Sequence, residues 1–168
     1  FDQFAAIFDH QDPSGLLPDF VNDRYVTCAF TKPPVHGWAI LRLIDRYPGW
    51  LTDDRRRALV PWLEKQISYW LTHARKDEST LPAYCHGNDS GWDNATFFAE
   101  GGPVITPDLP TFLILTCDAL ARLEGAAAGG GQRQHVVLGL EHRREAGRDA
   151  RDHVRELAEE VGGVVRAG

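Results

Sequence analysis

Two stretches of the chain repeat apolar residues at the spacing of an α-helix. The first runs from Val35 to Tyr47 and the second from Leu59 to Leu71. Because an α-helix turns once every 3.6 residues, apolar residues three or four positions apart lie on one face. The pattern predicts two amphipathic helices that pack their apolar faces into a shared core.

The second predicted helix has a recognisable start. Thr52 can accept a hydrogen bond from a backbone amide of the first turn, and Asp53 and Asp54 place negative charge at the positive end of the helix dipole. Pro61 has no amide hydrogen and clashes with the preceding turn, so it predicts a kink in this helix.

Further helices are predicted toward the C-terminus. Residues 109–123 follow two candidate capping residues, Thr106 and Asp108. Residues 136–165 are also helix-like and follow a glycine-rich break at residues 129–131. Because no convincing pair of strands is evident, the sequence predicts an all-α fold with long polar loops between helix hairpins.

The composition of the chain changes near Glu124. All 17 aromatic residues lie between Phe1 and Phe112, whereas the last part is rich in Arg, Glu, Gly and Ala. This change predicts one folded domain in residues 1–124 and a helical tail, either continuing the fold or divergent, in residues 125–168.

Charge and composition exclude several classes of protein. The 168 residues carry a net charge of -6, which is opposite to that of a protein that binds the phosphate backbone of nucleic acid. No apolar run has the roughly 20 residues of a membrane helix. The three cysteines show no metal-site spacing, so we expect no disulfide framework, no metal and no cofactor. We expect a cytoplasmic protein that binds neither nucleic acid nor membranes.

Residues 85–97 hold the densest group of chemically active side chains. Trp92 stands beside Asp93 and Asn94, a combination that suits a sugar because the indole stacks on the pyranose ring while polar groups bind its hydroxyls. A tryptophan wall can also raise the pKa of a neighbouring carboxyl by desolvation. Asp and Asn form turns equally well, so a purely structural role for Asp89 and Asn94 stays open.

Residues 88–96, NDSGWDNAT, closely resemble the general-acid motif of the inverting glycoside hydrolases of family 63 and their relatives. These relatives include processing α-glucosidase and the bacterial mannosylglycerate and glucosylglycerate hydrolases. Residues 12–18, DPSGLLP, and 32–38, KPPVHGW, are similar to two further segments of that family and occur in the same order. The resemblance covers about residues 1–124.

The resemblance implies a partial (α/α)6 toroid of six helical hairpins, of which this chain would hold the N-terminal half. It also implies hydrolysis of an α-glucoside or α-mannoside, with Asp93 as the general acid. The general base would be a Glu from the C-terminal half of the toroid, outside this chain. Glu141 and Glu145 sit among arginines at helix spacing, which is typical of a solvated helix face.

The same resemblance implies a set of substrate-binding residues around Asp93. Lys32 stands where several relatives have Gln, and its charge would favour an anionic aglycone such as a glycerate. The expected substrate-binding residues are Trp92, Gly91, Asn88, Asp89, His86, Lys32, His36 and Trp38.

Alternative interpretations remain for several of these residues and for the chain as a whole. His36 is as well explained as a loop hydrogen-bonding residue, and Trp38, Trp62 and Trp70 as core residues, whereas Trp50 is a candidate exposed aromatic. Because half of the acid and base machinery would be absent, the chain could instead be a sugar-binding or partner-assembly fragment without catalysis. An open half-toroid would also expose apolar faces, so we expect self-association or assembly with a complementary half.

Overall fold

The computed structural model describes residues 1–74 and 81–128, and these residues form mainly helices. The elements in chain order are α1 (Asp2–Phe8), β1 (Phe20–Val21), β2 (Val26–Thr27), α2 (His36–Arg46), α3 (Asp53–Thr72), α4 (Gly87–Ser90), a 3-10 turn (Thr96–Phe98) and α5 (Asp108–Ala128). The all-α prediction is confirmed. The predicted helix at residues 136–165 and its glycine-rich break lie outside the described residues.

Helices α2, α3 and α5 correspond to the three helices predicted between residues 35 and 123, two from apolar spacing and the third from its candidate capping residues. Thr52 caps α3 as predicted, because its side-chain oxygen accepts a hydrogen bond from the Arg55 amide. Helix α3 continues through Pro61 as one element of 20 residues. Asp108 lies inside the first turn of α5, while the Thr106 hydroxyl is buried without a hydrogen-bond partner among the described residues, so Thr106 does not cap α5.

The core lies where α2 and α3 pack against α5. Helices α2 and α5 approach closely at Gly37, where an added Cβ would lie 2.3 Å from the Cα of Thr116. The Thr116 hydroxyl turns back to its own helix and donates to the Phe112 carbonyl at 2.7 Å. The fully buried apolar side chains of this core include Ile40, Leu59, Leu63, Leu109, Leu113 and Leu123.

A small antiparallel hairpin interrupts the helical pattern, contrary to the expectation of no strands. Strands β1 and β2 pair Phe20 with Thr27. The Asn22 side chain stabilises the turn by accepting hydrogen bonds from the amides of Arg24 (2.8 Å) and Tyr25 (2.9 Å). Strands of only two residues show no alternating pattern, so apolar periodicity could not reveal them.

Two tryptophan predictions need correction. Trp38 is 49% exposed on the first turn of α2, so it is not a core residue. Trp50 is partly buried against Phe4 and carries the Arg55 guanidinium 5.4 Å from its ring, so it is not a freely exposed aromatic. Trp62 and Trp70 pack into the core as predicted. Within residues 1–74 and 81–128, no helix has the length and apolar character to cross a membrane.

Candidate functional site

The loop at residues 85–96 is built around α4, a single helical turn. His86 caps this turn, with its Nδ1 accepting from the Asn88 amide at 3.0 Å. The Asp89 carboxylate in return accepts from the His86 amide at 2.8 Å. These reciprocal bonds form a capping box, which fixes the entry of the chain into the loop.

Asp89 also connects this loop to a distant part of the chain. Its side chain is only 5% exposed and accepts hydrogen bonds from the amides of Cys85 at 3.0 Å and Thr31 at 2.9 Å. Together with the His86 amide, three backbone donors satisfy this buried carboxylate. The oxygens of Asp89, expected to bind substrate, are therefore directed at the backbone.

Lys32, from an earlier segment of the chain, contacts the loop at residues 85–96. Its Nζ donates to the Asn88 carbonyl at 2.7 Å and lies 6.0 Å from the centre of the Phe30 ring. The Phe30 ring in turn packs 5.0 Å from the His86 ring. The structure therefore brings Lys32, His86 and Asn88 together at an exposed edge.

The turn after α4 leaves Trp92 and Asp93 exposed to solvent. Gly91 adopts φ +75°, a left-handed conformation that glycine accepts without strain. The Ser90 hydroxyl donates to the Gly87 carbonyl at 2.8 Å and accepts from the Trp92 amide at 3.0 Å. Ser90 was not singled out from the sequence, although it stabilises the turn. Trp92 emerges 60% exposed.

Asp93 is one of the residues that line an open cavity of about 360 Å³. An added Cβ on Gly87 would lie 2.9 Å from the Asp93 carbonyl oxygen, so the absence of a side chain at Gly87 allows this close packing. Asp93 is itself exposed, and the expected desolvation by the Trp92 ring is not present in the described residues. The cavity is lined by Cys85, His86, Gly87, Asp93, Asn94, Ala95, Thr96, Phe98, Ala99, Gly101 and Gly102.

His36 occupies a different environment from the loop at residues 85–96. Its Nδ1 lies 3.0 Å from Nε2 of Gln66, and its ring packs edge-on against Phe8 at 5.0 Å and Phe4 at 6.3 Å. Burial lowers the pKa of His36 to about 4. The direction of the hydrogen bond between His36 and Gln66 depends on the tautomer of the imidazole ring. These contacts belong to α1 and α3.

The segment at residues 12–18 packs against α3. Asp12 accepts hydrogen bonds from the Ser14 hydroxyl at 2.5 Å and from the amides of Ser14 and Leu16, and these bonds lower the pKa of Asp12. Gly15 has φ +97°, and an added Cβ would lie 2.0 Å from the Lys65 carbonyl oxygen.

Tyr69 of α3 is a residue of this region that sequence reasoning missed. Burial is the largest cause that raises the pKa of Tyr69, and the charges of Asp89, Cys85 and Asp12 raise it further. The phenol is thus within electrostatic reach of both the segment at residues 12–18 and the loop at residues 85–96. Helical spacing gave no signal for it, because Tyr69 stands beside a core residue, Trp70.

No trio of His, Cys, Asp or Glu side chains in the described parts of the chain could hold a metal ion. A family model described as the mannosylglycerate hydrolase MGH1-like glycoside hydrolase domain matches residues 2–161. The match extends past the region that carries the motifs and past Glu124. No curated protein and no solved structure matches the chain. The predicted boundary between residues 124 and 125 stays a prediction.

Proposed function

Since the chain belongs to the mannosylglycerate hydrolase MGH1-like glycoside hydrolase family, we propose that it supplies the general acid of an inverting hydrolase. The family establishes the enzyme class and a carbohydrate substrate. Its helices form part of the all-α toroid of such a domain. The proposed substrates are α-glucosides or α-mannosides, with glucosylglycerate and mannosylglycerate foremost. A cytoplasmic location stays a prediction.

The position of Asp93 supports this proposal. Asp93 is exposed, lines an open cavity and stands next in sequence to the exposed Trp92. In the proposed reaction Asp93 donates a proton to the glycosidic oxygen while Trp92 stacks on the apolar face of the sugar. An exposed carboxyl can reach a leaving group that approaches from solvent.

The surrounding residues support binding of the sugar and its aglycone. His86, Asn88 and Lys32 lie together at the exposed edge of the loop, and Gly91 sets the direction of Trp92. The Lys32 ammonium can pair with the carboxylate of a glycerate aglycone. Trp38 is proposed as a further aromatic contact on α2.

Two of the expected contacts have a supporting role in this proposal. Asp89 uses its carboxylate on three backbone amides, and His36 packs against α1 and α3. We assign both residues a structural role that supports the site. Direct contact with the sugar is assigned to the exposed residues.

An inverting mechanism also needs a general base. The two carboxyl groups stand about 6.5–9.5 Å apart, so that a water molecule fits between the base and the sugar. We propose that this base is a Glu of the C-terminal half of the toroid, outside this chain, and that turnover by the purified chain depends on assembly that supplies it. Glu141, Glu145, Glu156, Glu159 and Glu160 lie outside the described residues.

A sugar-binding or partner-assembly role without hydrolysis is the second candidate. The exposure of Asp93 favours it, because a general acid works best when burial raises its pKa toward the working pH. In that case the Trp92 loop would bind sugar, and no product would form.

Hydrolysis of glucosylglycerate and mannosylglycerate by the purified chain tests the proposal, with the product anomer read by proton NMR. We expect the β-anomer to appear first and Asp93→Asn to lower kcat by about 10²–10⁴-fold. Asp23→Asn, at an exposed position in the hairpin turn, is the matched control. Retained activity in Asp93→Asn would exclude Asp93 as the acid, and sugar binding without turnover would support the second candidate.

A further inference from the structure

The two loops that carry the exposed site residues are held together by one buried carboxylate. Asp89 bonds the amides of Cys85 and His86 in its own loop and the amide of Thr31, 58 residues earlier in the chain. A local helix cap would need only the first two bonds. The hydrogen bond from the Thr31 amide is not required to cap α4, so it indicates a second structural role for Asp89.

Two further contacts span the same pair of loops. Lys32 Nζ donates to the Asn88 carbonyl at 2.7 Å, and the Phe30 ring packs 5.0 Å from His86. An added Cβ on Gly91 would touch the Pro33 side chain at 4.0 Å. The Asp89 bonds are the buried part of this junction, where water does not compete for the amides.

Hydrogen bonds within and just after α4 connect Asp89 to the turn that precedes Asp93. The capping box holds His86 and Asp89 at the start of the turn, and the Ser90 hydroxyl holds Gly87 and the Trp92 amide at its end. Gly87 packs directly on the backbone of Asp93. A change in the position of α4 therefore moves Asp93 with it.

We propose that Asp89 is a positioning residue that clamps the segment at residues 30–34 onto the loop at residues 85–93, and thereby fixes the distance between Lys32 and the acid Asp93. This proposal rests on the proposed function for the role of Asp93. The clamp itself is a property of the fold. It makes the aglycone contact and the proton donor one rigid unit, because both loops share a single buried anchor.

Amide hydrogen exchange measured by NMR on the full chain tests the clamp without any need for activity. We expect Asp89→Asn to accelerate exchange at Thr31 together with Cys85 and His86 by about tenfold or more, because the new amide group cannot accept from all three donors. Asp19→Asn is the matched control. Its carboxylate also holds a loop, through the Ala29 amide at 3.0 Å and the Thr27 hydroxyl, so acceleration should stay near Ala29.

An unchanged Thr31 amide beside faster Cys85 and His86 amides would overturn the proposal, because Asp89 would then be a local cap. If Asp89→Asn does not fold, Lys32→Ala provides the second variant. It removes the exposed Lys32–Asn88 bond and the Lys32–Phe30 contact but leaves the three Asp89 bonds, so the proposal requires exchange at Thr31, Cys85 and His86 to stay slow. Faster exchange at all three amides would overturn it, because Lys32 and not Asp89 would then hold the loops together.

A leaving-group comparison tests the effect on catalysis. α-Glucosyl fluoride needs little protonation of its leaving group, whereas glucosylglycerate needs a positioned acid. We expect Asp89→Asn to lower kcat for glucosylglycerate at least about tenfold more than kcat for the fluoride. An equal loss on both substrates would overturn the positioning role. Absence of turnover in the unmodified chain would contradict the proposed function and leave the exchange result to decide the clamp.

Discussion

Carboxylates of the same residue type perform different tasks in this chain. Asp12 and Asp89 bind backbone amides of loops, whereas Asp93 stands open to solvent. Residue types alone could not separate Asp89 from Asp93, because the difference is burial. That burial depends on the segment around Thr31, which is remote in the sequence. The turn-forming interpretation of Asp89 describes its bonds, while the role proposed for Asp93 rests on the resemblance of the motif to a family.

The partly buried, apolar environment of His36 predicts a dependence of stability on pH. The pKa of His36 is about 4 in the folded chain and about 6.5 when unfolded, so the unfolded state takes up the proton first. Stability is therefore complete above pH 6.5 and falls as the pH drops toward 4. The ring faces Phe4, Phe8 and Gln66, which carry no charge.

Urea unfolding at pH 7.5 and pH 5 measures this effect. We expect the unmodified chain to lose about 2 kcal/mol of unfolding free energy between these two conditions through His36. His36→Gln has no titratable ring at this position, so it should lose about 2 kcal/mol less over the same interval. Equal losses in both proteins would contradict a buried neutral His36.

The elements show which structures periodicity can predict. Helices α2, α3 and α5 were anticipated because each is long enough for several turns of apolar spacing. Helix α1 has only seven residues and was missed, although its Phe8 enters the core. Helix α3 continues through Pro61 because packing of Leu59 and Leu63 against the core favours the helix on both sides.

The surroundings of two glycines predict opposite effects on stability when each is replaced by alanine. Gly37→Ala should destabilise the chain by about 1–3 kcal/mol, because its Cβ would overlap the Thr116 backbone. Gly125→Ala on α5 meets nothing within 4 Å and should stabilise the chain by up to about 1 kcal/mol through helix propensity. Urea unfolding of both variants checks this pair. A neutral Gly37→Ala would contradict the close approach of the helices.

The molecule as a whole carries large apolar side chains on its surface. Val35 and Trp38 lie three residues apart at the start of α2 and are both exposed. Covering a large apolar side chain contributes about 1.5–3 kcal/mol. A surface of this kind favours association with other apolar surfaces.

We therefore expect the isolated chain to self-associate with rising concentration, as measured by sedimentation velocity. The double variant Val35→Gln with Trp38→Gln should shift the chain toward monomer. Tyr25→Gln, an exposed aromatic on the hairpin, is the control and should leave association unchanged. A chain that stays monomeric at every concentration would contradict this expectation.

The close packing of Gly87 on Asp93 has a consequence for the engineering of sugar preference. The space for a side chain at position 87 is occupied by the backbone of Asp93, so mutagenesis libraries should keep this glycine fixed. Asn94 is exposed on the cavity wall, and Asn88 is partly exposed with its backbone amide and carbonyl already bonded. Side chains at these two positions can be changed while the loop that carries Asp93 keeps its backbone hydrogen bonds.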